Sequence, residues 1–218
     1  MGQPAGILFS AFEPSGDAVA APVIAALREM EPKIPIFALG GPKMEQAGAE
    51  LLSNTVEHAA MGLGALALAQ RHRRTVKQLK RWLKDQELKA FVPVDSPAAN
   101  FPICKIIRGR LDQTRIVHLV APQLWAWGGC RIVKLRRLSD HVMCVLPFEP
   151  GWFIQRHMRA TFVGHPLTDP ASMSQRRQQT DDTLPQGLPK LALLPGSRQA
   201  EVVHNLPTML RVATRLRD

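Results

Sequence analysis

Short apolar runs, each closed by Gly, Pro or an acidic residue, alternate over the first 163 positions with longer stretches of helical period. The first run, Ile7 to Phe12, stops at Glu13-Pro-Ser-Gly-Asp17, and a helical pattern starts there with Ala18-Val-Ala-Ala. A continuous apolar run bounded by turn residues predicts a buried strand, and strand, tight turn and helix together open a parallel α/β sheet. Further strands are predicted at Pro35–Leu39, Ala49–Leu52, Ala90–Val94, Arg115–Val120, His141–Leu146 and Thr161–Val163. Helices are predicted over Lys43–Gly48, from Met61-Gly62 to about Leu88, near Asn100, over Arg131–Leu138 and from Glu149 through Met158. The expected fold is α/β, with a doubly wound parallel sheet over residues 1–168. Residues 169–189 are dominated by Ser, Gln, Asp, Arg and Pro without apolar period, which predicts a linker. Beyond it, Leu191–Leu194 reads as a strand and Glu201–Leu216 as a helix. One strand and one helix cannot bury their own apolar faces, so residues 190–218 are expected to be the truncated start of a second Rossmann-like domain.

Charge sharpens this picture. The formal net charge is +10 and the pI about 10.3, which points to an anionic partner: nucleic acid, a phosphorylated substrate or an acidic membrane surface. On the long helix, Val76, Leu79 and Leu83 keep helical spacing, while Arg73, Lys77, Lys80, Arg81 and Lys84 crowd the other faces around Trp82. This is either a solvated face or a basic amphipathic surface for an anionic membrane interface. Nucleic acid is disfavoured, because one basic helix without stacking aromatics or a known module specifies nothing. Cys104, Cys130 and Cys144 show no C-x-x-C spacing, so a reducing cytoplasm is the simplest setting. No apolar run is long enough to span a bilayer, and no basic region precedes the first apolar run as in a secretory signal.

Candidate chemistry gathers at the carboxyl ends of the predicted strands, where open α/β sheets bind ligands. Glu13 and Asp95 sit at two such ends. Ser15 is placed to cap the first helix, Asp17 to meet its dipole, and Pro22 to bend it or delay its start. Asp95 has the alternative of capping the helix that carries Asn100. Trp125 and Trp127, close together after a strand, either pack under the sheet edge or line a site. No G-x-G-x-x-G follows the first strand, which weighs against a dinucleotide-binding enzyme, and the seven histidines show no H-E-x-x-H metal spacing.

Eight motifs, in order, carry a resemblance. They are Glu13-Pro-Ser-Gly-Asp17, Gly41-Pro42-x-Met44, Met61-Gly62, Asp95-x-Pro97-x-x-Asn100 and Pro122-x-x-Trp125-Ala126-Trp127. Then follow Leu146-Pro147-Phe148-Glu149, Phe162-Val163-Gly164-His165-Pro166 and Leu193-Leu194-Pro195-Gly196-Ser197-Arg198-x-x-Glu201. The chain resembles the lipid-A-disaccharide synthases. The resemblance implies the two-domain GT-B glycosyltransferase arrangement, with an acceptor domain followed by a donor domain. It implies transfer of 2,3-diacylglucosamine from UDP to the 6-hydroxyl of 2,3-diacylglucosamine 1-phosphate, with no cofactor and no metal, at the cytoplasmic face of the inner membrane. Asp95 is then the candidate base, with Glu13 and Asp17 flanking the acceptor or supporting that base. Ser15, Gly16, Met61, Gly62, Asn100, Trp125, Trp127, Gly196, Ser197, Arg198 and Glu201 are the expected substrate-binding residues. Arg198 can fork onto phosphate oxygens, and the Gly196 and Ser197 backbone N–H groups at a helix start suit an anion, although Glu201 with Ser197 also reads as a capping pair.

The sequence departs from the family pattern in two ways. Ala98-Ala99 stand where the family has Asp-Phe, removing a carboxylate and an aromatic beside the proposed base. The family's chain is also considerably longer, so a second polypeptide or a further copy of the chain is expected to complete the donor site. A non-catalytic remnant that binds acylated sugar phosphates or anionic membrane is the alternative. A UDP-sugar epimerase is a third reading, opposed by Trp-Ala-Trp and Glu-x-Ser-Gly-Asp.

Overall fold

The computed structural model describes residues 5–57, 65–168, 191–196 and 199–217. Seven strands form one parallel sheet: β1 (Gly6–Ser10), β2 (Ile36–Gly40), β3 (Glu50–Asn54), β4 (Leu88–Pro93), β5 (Arg115–Leu119), β6 (His141–Cys144) and β7 (Ala160–Phe162). Their spatial order is β3-β2-β1-β4-β5-β6-β7, so the winding reverses between β1 and β4. In β1 and β2 every residue is buried, as expected of strands covered on both faces.

The side-chain period of two sorts these strands into two cores. Ile7 and Phe9 of β1 and Ile36 and Ala38 of β2 point one way, onto Ala20 and Ile24 of helix α1 (Pro14–Met30) and Met44 of α2 (Pro42–Gln46). Leu8, Phe37, Leu39 and Phe91 point the other way. That face is covered by α3 (Ala65–Trp82), α4 (Pro97–Arg110), α5 (Ile132–Leu138) and α6 (Glu149–Ile154) through Leu79, Phe101, Ile107, Leu135 and Phe153. Each large apolar side chain buried this way contributes about 1.5–3 kcal/mol. The α/β doubly wound parallel sheet is thus the fold.

Several local expectations need correction. Helix α1 begins at Pro14 with Glu13 as its extended N-cap residue, and no side chain caps it. Ser15 therefore lies inside the first turn, because Pro14 already has the backbone angle of a first helical residue. Pro22 neither ends nor delays α1, which runs on to Met30. Trp82 turns inward and sets its ring edge against Phe37 at 4.8 Å, so it is no interfacial anchor among the cations.

The chain divides into two compact units, one made up of residues up to 59 and 63–166, the other of residues 60–62 and 167–218. Among the described residues of the second, Leu191–Gly196 forms no strand, and a long helix α7 (Gln199–Arg217) follows. The predicted strand at Leu191–Leu194 has no ladder: an extended segment becomes a strand only beside a partner edge.

Candidate functional site

The winding reverses between β1 and β4, and in an open α/β sheet the ligand crevice lies outside the carboxyl ends of such a strand pair. β4 leaves the sheet through Val94, which bridges to Leu119, and the chain then turns through two left-handed residues, Asp95 (φ 45°) and Ser96 (φ 38°). On the adjacent strand exit Val120 is also left-handed, at φ 63°. Side chains with a Cβ avoid this region, most of all a β-branched one, and each such residue costs about 1–3 kcal/mol. Strain of this kind, concentrated at one sheet edge, needs neighbours that hold it.

Asn100 is the principal holder. Completely buried on the first turn of α4, its amide donates to the Val94 carbonyl at 3.0 Å and the Asp95 carbonyl at 2.8 Å. Its own carbonyl oxygen accepts from the Ser10 hydroxyl at 2.6 Å. The Asp95 N–H donates to Leu119 at 2.9 Å, which locks the turn to β5. The Asp95 carboxyl is half-buried; burial pushes its pKa up, and the Ser96 backbone pulls it back in part. A carboxylate whose proton affinity is raised towards the working pH is a better general base. Behind the turn stands His118 on β5, fully buried. Burial pushes its pKa down to about 4, against a smaller opposing pull from the Asp95 backbone, so the ring is neutral.

On the β1 side, Glu13 is half-buried at the head of α1 and Ser15 is exposed beside it. Gly16 is buried, and a Cβ there would stand 3.1 Å from that of Ala11, so its role is close packing of α1 on the strand exit. Asp17 is 2% exposed and accepts backbone N–H groups from Gly41 (2.9 Å), Lys43 (3.1 Å) and Met44 (3.2 Å). Its carboxylate caps α2 and clamps the β2 exit.

The two tryptophans divide the options between them. Trp125 is half-buried and donates its indole N–H to Glu149 at 3.0 Å, and its ring meets Phe148 edge-on at 4.9 Å. Trp127 is 71% exposed. Glu149, 1% exposed, also accepts from the Leu146 N–H at 3.0 Å, tying the tryptophan loop to the head of α6.

Residues 7–218 match the model of the lipid-A-disaccharide synthetase family. The chain is 31% identical to a lipid-A-disaccharide synthase of Trichlorobacter lovleyi, the match covering 100% of this chain and 57% of that protein. The values for Idiomarina loihiensis are 32%, 99% and 57%, and for Prochlorococcus marinus 36%, 97% and 56%. The chain belongs to the lipid-A-disaccharide synthetase family. It spans a little over half the length of the curated relatives it matches. A solved glycosyltransferase of kitacinnamycin has a TM-score of 0.47 at 13% identity over 74% of this chain and 51% of its own, too slight a likeness to bear on the fold.

Of the family's motifs, the sheet gathers Glu13, Asp95 and Asn100 at one crevice, while Trp125 and Trp127 follow β5 further along the same edge. Gly196 and Glu201 belong to the second unit, where Gly196 is left-handed (φ 113°) and the Glu201 side chain fills the space a Cβ at 196 would need. There the Asn205 amide holds the Pro195 carbonyl at 2.9 Å. Met61, Gly62, Ser197 and Arg198 lie outside the described residues. Sequence reasoning passed over Ser10, His118 and Glu149 as site residues. Glu149 carried a signal, as the acidic residue of the Leu146-Pro147-Phe148-Glu149 motif after a strand; Ser10 and His118, inside apolar strands, carried none.

Proposed function

We propose that this chain is the acceptor-side half of a glycosyltransferase of lipid A assembly. It would transfer 2,3-diacylglucosamine from its UDP carrier to 2,3-diacylglucosamine 1-phosphate, giving the disaccharide 1-phosphate and UDP. The observation that carries the reading is Asp95: a half-buried carboxylate of raised proton affinity, on a strained turn at the switch point of a family member's sheet. Asp95 takes the proton of the acceptor's 6-hydroxyl as that oxygen bonds to the anomeric carbon. The bond from that carbon to the UDP oxygen breaks with inversion, and UDP departs with the electron pair. Glu13 and Ser15 face the acceptor from the β1 side; Asp17 and Asn100 act as positioning residues, their polar atoms being engaged by backbone and by Ser10. Gly196, Ser197 and Arg198 begin the donor site, which residues matching the remaining length of the longer relatives would complete.

The chain works at an anionic membrane surface through α3, whose Leu66 and Leu68 are exposed near its start and whose Lys77, Lys80 and Arg81 are exposed further along, with Lys84 exposed just beyond its end. Among the described residues no helix is long and apolar enough to cross a membrane. The second reading, a non-catalytic remnant, draws on Ala98 and Ala99, which leave α4's first turn without the carboxylate and ring of the family pattern.

Radiolabelled UDP-diacylglucosamine separates the two readings. Turnover is expected from this chain mixed with a carboxyl-terminal half from a relative, and none from the chain by itself. Steady product from the single chain overturns the need for a second half. No product from any mixture, with the mixture shown to associate, leaves the remnant.

A further inference from the structure

Helix α3 does not close fully on the outer strands of the sheet. Between them is a cavity of about 100 Å³, walled by Leu39, Leu52, Leu79 and Trp82 and rimmed by Ser53, Thr75 and Gln78. Its cause is legible in the sequence. Where β3 presents Leu52, the helix opposes it with Thr75 and Gln78, one turn apart, and not with residues long enough to fill the space. A Leu or Met at either position would recover the missing contacts, since an unfilled apolar gap forfeits dispersion on every wall atom.

The position of the gap suggests its use. Leu39 and Ser53 are partners in register and are the penultimate residues of β2 and β3, so the cavity lies towards the same sheet edge as Asp95. β2 is two strands from β4 and β3 is three, or about 10 and 14 Å at the usual strand spacing. Between them, at the exit of β1, Phe12 meets His72 of α3 edge-on at 5.1 Å. Burial lowers the His72 pKa, and the two rings that meet here give the intervening surface an aromatic patch. The volume is about two thirds of the roughly 150 Å³ in which an apolar cavity holds a benzene ring, which suits three or four methylenes.

We propose that this cavity receives the distal end of an acyl chain of the acceptor lipid, while the sugar phosphate lies at the Asp95 crevice. The site rests on the reading of the crevice as an acceptor site and adds a measure of chain length to it. The occupant is a saturated chain because the walls are aliphatic and indole carbon, and the rim offers no charge to pair with an ionic group.

The test uses the 218-residue chain with two ligands, 2,3-diacylglucosamine 1-phosphate carrying tetradecanoyl or butanoyl chains, the longer also in a form brominated at its end. Bromine is expected to quench Trp82, and Trp82→Phe to remove most of that quenching. Thr75→Phe fills the cavity and should weaken binding of the long-chain ligand roughly 50-fold, the factor for about three buried methylenes, while leaving the short-chain ligand unchanged. Gln78→Leu, on the exposed side, should act in the same direction and guards against misfolding at position 75; thermal melting checks both. Equal affinity of wild type and both filled variants for the long-chain ligand overturns the cavity and leaves the crevice reading standing. Absence of binding by either ligand overturns both.

Discussion

Asp95 holds a backbone conformation that few aspartates adopt, and Asn100 accounts for how it is held. The carboxamide of Asn100 uses both its N–H groups and its carbonyl on Val94, Asp95 and Ser10, so it is saturated before any substrate arrives. In a reconstituted enzyme, Asp95→Asn keeps shape and hydrogen bonding but accepts no proton, and its rate should fall by about two to four orders of magnitude. A variant keeping more than a tenth of the rate would move the base to Glu13. His118 gives a prediction in pH. Its folded pKa of about 4 lies below the unfolded value near 6.5, so the folded state binds fewer protons between the two. Stability from this group is whole above pH 6.5 and is lost as pH falls towards 4, by roughly 3 kcal/mol across the window. Denaturant melts of wild type and His118→Phe from pH 7 to 4 should show a shallower decline in the variant; parallel declines would mean the imidazole finds a proton partner. Much of this site was readable as residue types at strand ends. Its division of labour was not, because a buried Asp17 capping α2 and an acidic group facing a ligand look alike in one dimension.

At the scale of elements, period and punctuation located the sheet well, since a two-residue alternation leaves few ways to place Leu8 and Phe9 on opposite faces. Boundaries went astray where two local rules competed. Pro14 won the head of α1 over Ser15, and Leu191–Leu194 has strand composition without an edge to pair with. Helix α3 shows what a sequence says about surface charge. Its cations are exposed as the helical period requires, while Trp82 among them belongs to the core. If α3 meets an acidic membrane, replacing Lys77, Lys80, Arg81 and Lys84 by Gln should sharply reduce pelleting with anionic vesicles, at about 1 kcal/mol per cation near the surface. Added salt should mimic the variant, with screening over roughly 8–10 Å. Unchanged pelleting would make that face merely solvated. A second element-scale prediction concerns the amino ends of β5 and β6. Burial raises the Asp140 pKa, but the Arg108 guanidinium at 2.8 Å and the Ile116 N–H at 2.7 Å outweigh it and hold the carboxyl below its usual range. This clip contributes stability above the unfolded carboxylate range and loses it as pH falls through the depressed folded value. Asp140→Asn should therefore lower the melting temperature at neutral pH, with the difference from wild type shrinking in acid.

For the whole molecule, the imbalance between the two units is the feature with consequences. The first unit has helices on both faces of seven strands; the described part of the second has an irregular segment and one helix. Leu191 and Leu194 are 59% and 82% exposed, and on α7 Val203, Leu210, Val212 and Leu216 are exposed as well. An apolar helix face left in water contributes little to its own stability, and an isolated helix gains most of its stability from packing. Opening free energies in Leu191–Leu194 should therefore lie at the low end of the possible range, while those of β1, β2 and β4 approach the global value. Hydrogen exchange reads this directly. Fast exchange through Leu191–Leu194 in residues 1–218, slowing when the carboxyl-terminal residues of a relative are added, is the result expected if those further residues pack onto this segment. The added half would supply the sheet edge that lets those leucines become a strand and the apolar face that α7 lacks. Slow exchange there without any addition would mean the terminal unit already packs to completion, and the expectation of a loosely held segment would fall with it.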